Sequence, residues 1–145
     1  MERVKKAVGL LIAGALVLAC KDQPDPRLKD VTAVFVKGNN QAAEAARQAL
    51  KSGKTCLALA TKESDADATL EIGNDSQSMG GAMGGFGGRT NVVSGALTLK
   101  SGDLVWSRSE RTSDAPFMSG AKTAGGLLIS HLAGDSACKD RKQKR

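Results

Sequence analysis

The sequence predicts an α+β fold, a two-layer sandwich in which two helices cover one face of a mixed five-stranded sheet. Two observations support this prediction. Short runs of β-branched and aliphatic residues lie between glycine and polar residues, and two longer stretches carry apolar residues at helical spacing. The elements follow one another in the order β-α-β-β-β-β-α. The chain has 145 residues, 41% of them hydrophobic, enough for the core of one domain, predicted over residues 31–138.

The domain opens with a strand, a helix and a second strand. Residues 31–38, VTAVFVKG, form a Val-rich run that predicts a buried strand. Residues 41–53, QAAEAARQALKSG, predict a helix that ends in a glycine. Residues 55–60, TCLALA, predict a second strand, parallel and adjacent or nearly adjacent to the first. The core face of the helix is expected to carry Ala43, Ala46 and Leu50.

Three more strands and a helix complete the predicted domain. Residues 68–73, ATLEIG, alternate between apolar and polar positions. Residues 91–110, NVVSGALTLKSGDLVWSRSE, predict a hairpin that turns at Ser101 and Gly102. A two-residue turn pairs Leu99 with Leu104 and Leu97 with Trp106. The inward positions of the strand at 68–73 are Ala68, Leu70 and Ile72.

The last predicted element is a helix over residues 119–135, SGAKTAGGLLISHLAGD. Gly125 and Gly126 weaken this helix and are interpreted as a point of close packing on the sheet. Its predicted core stripe consists of Ala121, Ala124, Leu128 and Leu132.

The two ends of the chain carry its net charge of +6. Residues 1–19 are net +2 and residues 139–145, KDRKQKR, are net +4, whereas residues 20–138 hold 13 basic and 13 acidic side chains. No basic face is therefore expected on the domain, and nucleic acid is not a predicted partner. The C-terminal segment predicts a solvated, disordered tail, with contact to anionic lipid head groups as the alternative.

The N-terminal segment has the pattern of an export signal. The basic stretch MERVKK is followed by 13 uncharged residues, 7–19, fewer than the roughly 20 that span a bilayer. The sequence VLAC, ending at Cys20, resembles the lipobox of bacterial lipoproteins. This resemblance implies a signal peptide over 1–19 and a lipidated Cys20, with an uncleaved anchor or ordinary signal peptide as alternatives. Residues 20–30 predict a charged, Pro-containing tether, and Lys21 favours the outer membrane, facing the periplasm.

The other two cysteines are Cys56 and Cys138. In an exported protein they can form a disulfide, and two buried free thiols are the alternative. Two cysteines and a single histidine offer no ligand spacing for a metal, so neither a metal nor a cofactor is predicted.

Four short sequence blocks carry a second resemblance: VFVKGNN, CLALATKESDADATLEI, SGALTLKSGDLVWSRS and SGAKTAGGLLISHL. Together they resemble a family of small uncharacterised bacterial envelope proteins of acidobacterial type. More distantly, the layout is similar to the curli-secretion lipoprotein and to the activator lipoprotein of penicillin-binding proteins. The resemblance implies an envelope location and no catalytic residue.

Short motifs that suggest catalysis have simpler explanations in this sequence. His131 is expected to be a packed or half-exposed histidine of the last helix, because no nucleophile accompanies it. SGAK, Ser119 to Lys122, matches S-x-x-K, but the other motifs of penicillin-recognising enzymes are missing. Asp65 and Asp67 predict a solvated turn. The sequence therefore predicts no enzyme.

A glycine-rich segment, SMGGAMGGFGGRT, lies within the predicted loop 76–91. It lacks the Lys-Ser/Thr and the following helix of a phosphate loop and predicts a flexible hairpin connection. Met79, Met83 and Phe86 are interpreted as a possible contact patch. The predicted function is a lipid-anchored, non-catalytic interaction or structural module of the cell envelope, with an envelope protein as partner. The alternative is a periplasmic protein that binds a small ligand or a cell-wall fragment.

Overall fold

A computed structural model describes residues 23–78, 89–114 and 119–138 of the chain. Within these residues the predicted order of elements is confirmed, and neither helix has the length and apolar character needed to cross a membrane. The strands are β1 (Ala33–Lys37), β2 (Ala58–Leu59), β3 (Ala68–Ser78), β4 (Arg89–Leu99) and β5 (Leu104–Ser113). The helices are α1 (Gln41–Lys51) and α2 (Gly120–Asp135), with short 3₁₀ helices at Pro26–Asp30 and Glu63–Asp65.

The five strands form one mixed sheet in the order β2-β1-β3-β4-β5. β1 is parallel to both β2 and β3, whereas β3, β4 and β5 form an antiparallel meander. The predicted parallel neighbours of the first unit are thus confirmed. β2 has only two residues instead of the six predicted over 55–60. Cys56 lies outside this strand and is bonded to Cys138, just after α2, and pairing with β1 starts at Ala58.

Both helices pack on the same face of the sheet, as predicted, and the core lies between the two layers. Asn40 caps α1 by accepting a hydrogen bond from the Ala43 amide, and Ser119 caps α2. The predicted core residues of the strands and helices are all buried. They include Ala43, Ala46 and Leu50 of α1, Ala121, Ala124, Leu128 and Leu132 of α2, and Ala68, Leu70 and Ile72 of β3.

The paired glycines of α2 do not mark close packing on the sheet. A Cβ atom at Gly125 would lie 2.2 Å from the Ala42 carbonyl oxygen, so this glycine brings α2 against the backbone of α1. A Cβ atom at Gly126 would meet nothing within 4 Å. Two other glycines lie between the sheet and α2. A Cβ atom at Gly95 of β4 would lie 3.3 Å from the Leu128 side chain, and one at Gly120 of α2 would lie 2.9 Å from the Ser113 carbonyl oxygen of β5.

The β4–β5 hairpin has one of the two predicted side-chain pairs. Leu97 is paired with Trp106 as expected, but Leu104 is paired with Thr98 and not with Leu99. A register shift between Leu97 and Thr98 causes this difference, because the irregular step changes which residues stand opposite each other. As a result, Leu104 is 59% exposed.

The β3–β4 hairpin is longer than predicted. Its register runs without a break from Ala68↔Leu99 to Ser78↔Arg89, so strand pairing continues into the predicted loop 76–91. The pairing does not need a core beneath it, because antiparallel main chains satisfy each other's hydrogen bonds. Residues 79–88 lie outside the described residues, and with them Met79, Met83 and Phe86.

Part of the predicted tether, residues 20–30, is folded onto the domain. Leu28 in the first 3₁₀ helix is fully buried in the core. Asp25 caps this helix by accepting from the Arg27 amide at 2.9 Å. The Arg27 guanidinium binds Asp25 and, in the β4–β5 turn, Asp103, at 2.9 Å each. One leucine and one ion-pair network therefore fix a segment that is too polar to form a core of its own.

Candidate interaction surface

The longest unpaired main-chain edge of the described sheet belongs to β5. This strand has ten residues and pairs only with β4, whereas β2, at the opposite edge, has two residues. An edge strand exposes a row of N–H and C=O groups that can pair with another extended chain. The last strand of an antiparallel meander stands at an edge unless another strand follows. The predicted order of strands therefore indicates an edge at β5, although the contact patch predicted from the sequence lies on the glycine-rich loop.

Small hydroxyl side chains cover the open face of the sheet along β5. Ser107 and Ser109 point to this face, opposite Ala96 and Ser94 of β4, and all four are exposed or half-buried. Short side chains leave the main chain of β5 accessible from this side. The wider open face continues this composition with Thr69, Thr90, Thr98 and Ser113.

Three side chains of β5, those of Trp106, Arg108 and Glu110, face the helix layer, whereas Arg111 lies on the open face opposite Val92 and is exposed. Trp106 Nε1 donates to Asp135 Oδ2 at 2.8 Å. Glu110 Oε1 accepts from Arg108 Nε at 2.9 Å and lies 3.2 Å from His131 Nε2. These contacts pair Arg108 and Glu110 of the edge strand with groups of the same chain. His131 is 37% exposed, which confirms the half-exposed helix histidine expected from the sequence.

An open cleft of about 480 Å³ follows the first half of the β5 edge. Five consecutive residues, Leu104 to Arg108, form one wall, and Gln23 to Asp25 form the other. Asp135 closes the cleft beside Trp106. Since consecutive residues of a strand point to alternate faces, a cleft lined by all five lies along the strand edge itself.

Two predicted cysteines meet in the structure. Cys56, just before β2, and Cys138, just after α2, form a disulfide with their Cα atoms 5.1 Å apart. The bond ties the end of the helix layer to the edge of the sheet opposite β5. The predicted lipidation site, Cys20, lies outside the described residues.

The catalysis-like motifs have structural roles. Ser119 Oγ accepts from the Lys122 amide at 3.4 Å and contacts Gln41 Oε1 at 2.8 Å, which caps α2 and joins it to α1. Lys122 is exposed. The S-x-x-K match is thus accounted for by a helix cap. The described part of the chain also holds no group of three or more metal-ligating side chains.

Asp65 and Asp67 are both exposed, as predicted for a solvated turn, and Asp67 has in addition a fixed structural role. Its Oδ2 atom accepts from the amides of Ala33 and Thr32, at 2.9 Å each, and from Thr32 Oγ1 at 2.7 Å. Hydrogen bonds from Ala33 and Thr32 lower the pKa of the Asp67 carboxyl below its usual value. Asp67 therefore fixes the start of β1.

No protein-family model matches the chain, and no curated protein matches it. A PelC dodecamer from Paraburkholderia phytofirmans is similar at 16% identity and a TM-score of 0.49, covering 70% of this chain and 86% of that one. A DUF330 protein from Xanthomonas campestris is similar at 10% identity and a TM-score of 0.46, covering 79% and 89%. A minor lipoprotein from Acinetobacter baumannii is similar at 8% identity and a TM-score of 0.45, covering 75% and 92%. These likenesses are too low to assign a family or a function to the chain.

Proposed function

We propose that the protein is a lipid-anchored bacterial envelope protein that acts as a non-catalytic interaction module. It docks an extended segment of an envelope protein along β5. The observation that carries this proposal is the ten-residue edge strand with an open cleft beside its first half. The relation to acidobacterial envelope proteins, predicted from short sequence blocks, is part of the same proposal.

Strand addition suits the chemistry of this edge. Main-chain hydrogen bonds supply affinity in such complexes, and pockets for alternate side chains supply specificity. On the open face, Ser107 and Ser109 leave room for the side chains of an added strand. On the other face, Trp106 gives the cleft an apolar wall. Arg108 and Glu110 are already paired with each other, so docking leaves neither of these two charges without a partner.

The lipid anchor rests on the sequence pattern that ends at Cys20. The disulfide between Cys56 and Cys138 supports export, because such bonds persist in oxidising compartments. We place the protein on the outer membrane facing the periplasm, following Lys21. Mass spectrometry of the protein purified from bacterial membranes tests the anchor. We expect a mature chain that begins at an acylated Cys20, and an unmodified Cys20 would contradict it.

Capture of partners from envelope extract tests the docking edge. The variant Ser109→Lys places a charge on the edge strand, a change that natural edge strands use to block pairing. Ser94→Lys is the matched control, because Ser94 lies opposite Ser109, is also exposed and belongs to an interior strand. We expect the wild type and Ser94→Lys to retain a stoichiometric partner that Ser109→Lys loses.

Equal retention by all three proteins would contradict the docking edge. If no protein is retained, but a muropeptide or metabolite raises the melting temperature, the alternative function of ligand binding is favoured over the interaction module.

A further inference from the structure

Both ends of the described chain lie at the same end of the domain, which we call the entry pole. This entry pole consists of residues 23–25, the 3₁₀ helix Pro26–Asp30, the β4–β5 turn at residues 100–103, Leu104 and the end of α2. Arg27 joins the 3₁₀ helix to the turn through Asp103 at 2.9 Å. Gln23, Leu104 and Asp135 line the same cleft, which places the end of α2 there as well.

The β3–β4 hairpin extends to the opposite pole. β3 begins beside β1 at Val34↔Ala68, pairs with it as far as Lys37↔Glu71, and continues to Ser78. Ten steps along a strand cover about 33 Å. The ends of β3 and β4 that lead to the glycine-rich segment therefore lie far from the entry pole.

The entry pole lies close to the predicted anchor. Gln23 follows Cys20 by three residues, a stretch of chain that spans at most about 10 Å. The sequence alone predicts a tether up to residue 30, but Leu28 is buried and Arg27 is held in ion pairs. Folding of these residues removes most of the predicted reach, so a lipid on Cys20 brings the entry pole to the bilayer.

The entry pole, which a lipid on Cys20 brings to the bilayer, exposes the large apolar side chain of Leu104. Leu104 is 59% exposed and follows the turn residue Asp103, whose charge is paired with Arg27. Its exposure results from the register shift between Leu97 and Thr98, and such irregularities frequently re-aim a side chain. Among the described residues, Leu127 of α2 is the other large hydrophobic residue that is exposed, at 40%.

We propose that the entry pole is a membrane-contact surface: the domain rests on the lipid bilayer, Leu104 inserts at its interface, and the β3–β4 hairpin points away from it. This inference rests on the proposed lipid anchor at Cys20. It also defines how the domain is oriented on the bilayer: the start of β5 lies next to the membrane, and the β3–β4 hairpin extends into the periplasm.

The single tryptophan of the chain provides a direct test. Trp106 lines the same cleft as Leu104. Protein purified with its native acyl group is reconstituted into phosphatidylcholine vesicles that contain shallow brominated acyl chains. We expect quenching of Trp106 fluorescence. The control is the double variant Trp106→Phe with Val92→Trp. Trp106 lies opposite Leu97, so this change moves the tryptophan five strand residues, about 17 Å, along the hairpin.

Quenching of Trp106 together with an unquenched tryptophan at position 92 supports the orientation. Equal quenching at both positions, or quenching at 92 alone, would overturn it.

A partition experiment tests Leu104 independently of native acylation. The chain from Cys20 onward, with its disulfide intact, is coupled at Cys20 to one myristoyl chain, which by itself gives marginal membrane binding. Leu104→Ser should weaken partition into phosphatidylcholine vesicles about three- to tenfold, whereas Leu127→Ser should leave it unchanged. Equal partition of the two variants refutes insertion of Leu104. An unmodified Cys20 in the native protein would refute the anchor, while this experiment would still report on the pole.

Discussion

Adjacent glycines in α2 are expected to respond to alanine in opposite ways. At Gly125 a Cβ atom would lie 2.2 Å from the Ala42 carbonyl oxygen, whereas ordinary contact begins at 3.4 Å. The clashing group is main chain and cannot rotate away, so the two helices must separate locally. Overpacking of this kind costs about 1–3 kcal/mol, and the higher helix propensity of alanine offsets about 1 kcal/mol of it. We expect Gly125→Ala to lower the free energy of unfolding by up to about 2 kcal/mol.

At Gly126 the same substitution adds a methyl group that meets nothing within 4 Å. Only the backbone entropy and propensity terms remain, so Gly126→Ala should raise the free energy of unfolding by about 0.5–1 kcal/mol. Urea unfolding followed by circular dichroism, with the disulfide intact, measures both changes. In thermal unfolding, 1 kcal/mol corresponds to about 4 °C in the melting temperature. A Gly125→Ala protein that is stabilised as much as Gly126→Ala would refute the close approach of α1 and α2.

Three further results are expected. Cys56→Ser with Cys138→Ser should lower the free energy of unfolding by about 4 kcal/mol, because a bond across 82 positions constrains the unfolded chain; an unchanged urea midpoint would contradict this. Asp67→Asn should flatten the loss of stability on acidification. The folded state lowers the pKa of Asp67, so its contribution is complete above the unfolded pKa and is lost as pH falls through the folded pKa; equal slopes in acid titrations would contradict this. Asp135→Ala should shift Trp106 emission, since the 2.8 Å hydrogen bond is lost; unchanged emission would contradict it.

Hydrophobic periodicity predicted the layers of this fold because the core is built from regular elements. The buried positions of α1, α2 and β3 follow from residue spacing, and the strand–helix–strand unit determines that β1 and β2 are parallel. The register shift at Leu97 and Thr98 could not be derived in this way, because alternation pairs Leu104 with Leu99, whereas the irregular step puts Leu104 opposite Thr98 and leaves it exposed.

The candidate site was harder to predict than the fold. Capping by Ser119 and by Asp67 uses polar residues whose role depends on distant partners, such as Gln41 and Thr32. The buried position of Leu28 shortens the predicted tether, and one leucine among charged residues gives no periodic signal. The order of elements alone allows the β5 edge to be inferred. The cleft beside it could not be predicted, because it depends on residues 23–25 lying next to Leu104–Arg108.

A photo-crosslinking amino acid at Ser109 in the full-length protein, expressed in bacteria, tests the docking edge most directly. The matched position is Ser94, which shares the open face with Ser109 but lies on an interior strand. The interaction module predicts an adduct with one envelope protein from position 109 and much less from position 94. No adduct from either position, or equal adducts from both, would contradict docking along β5.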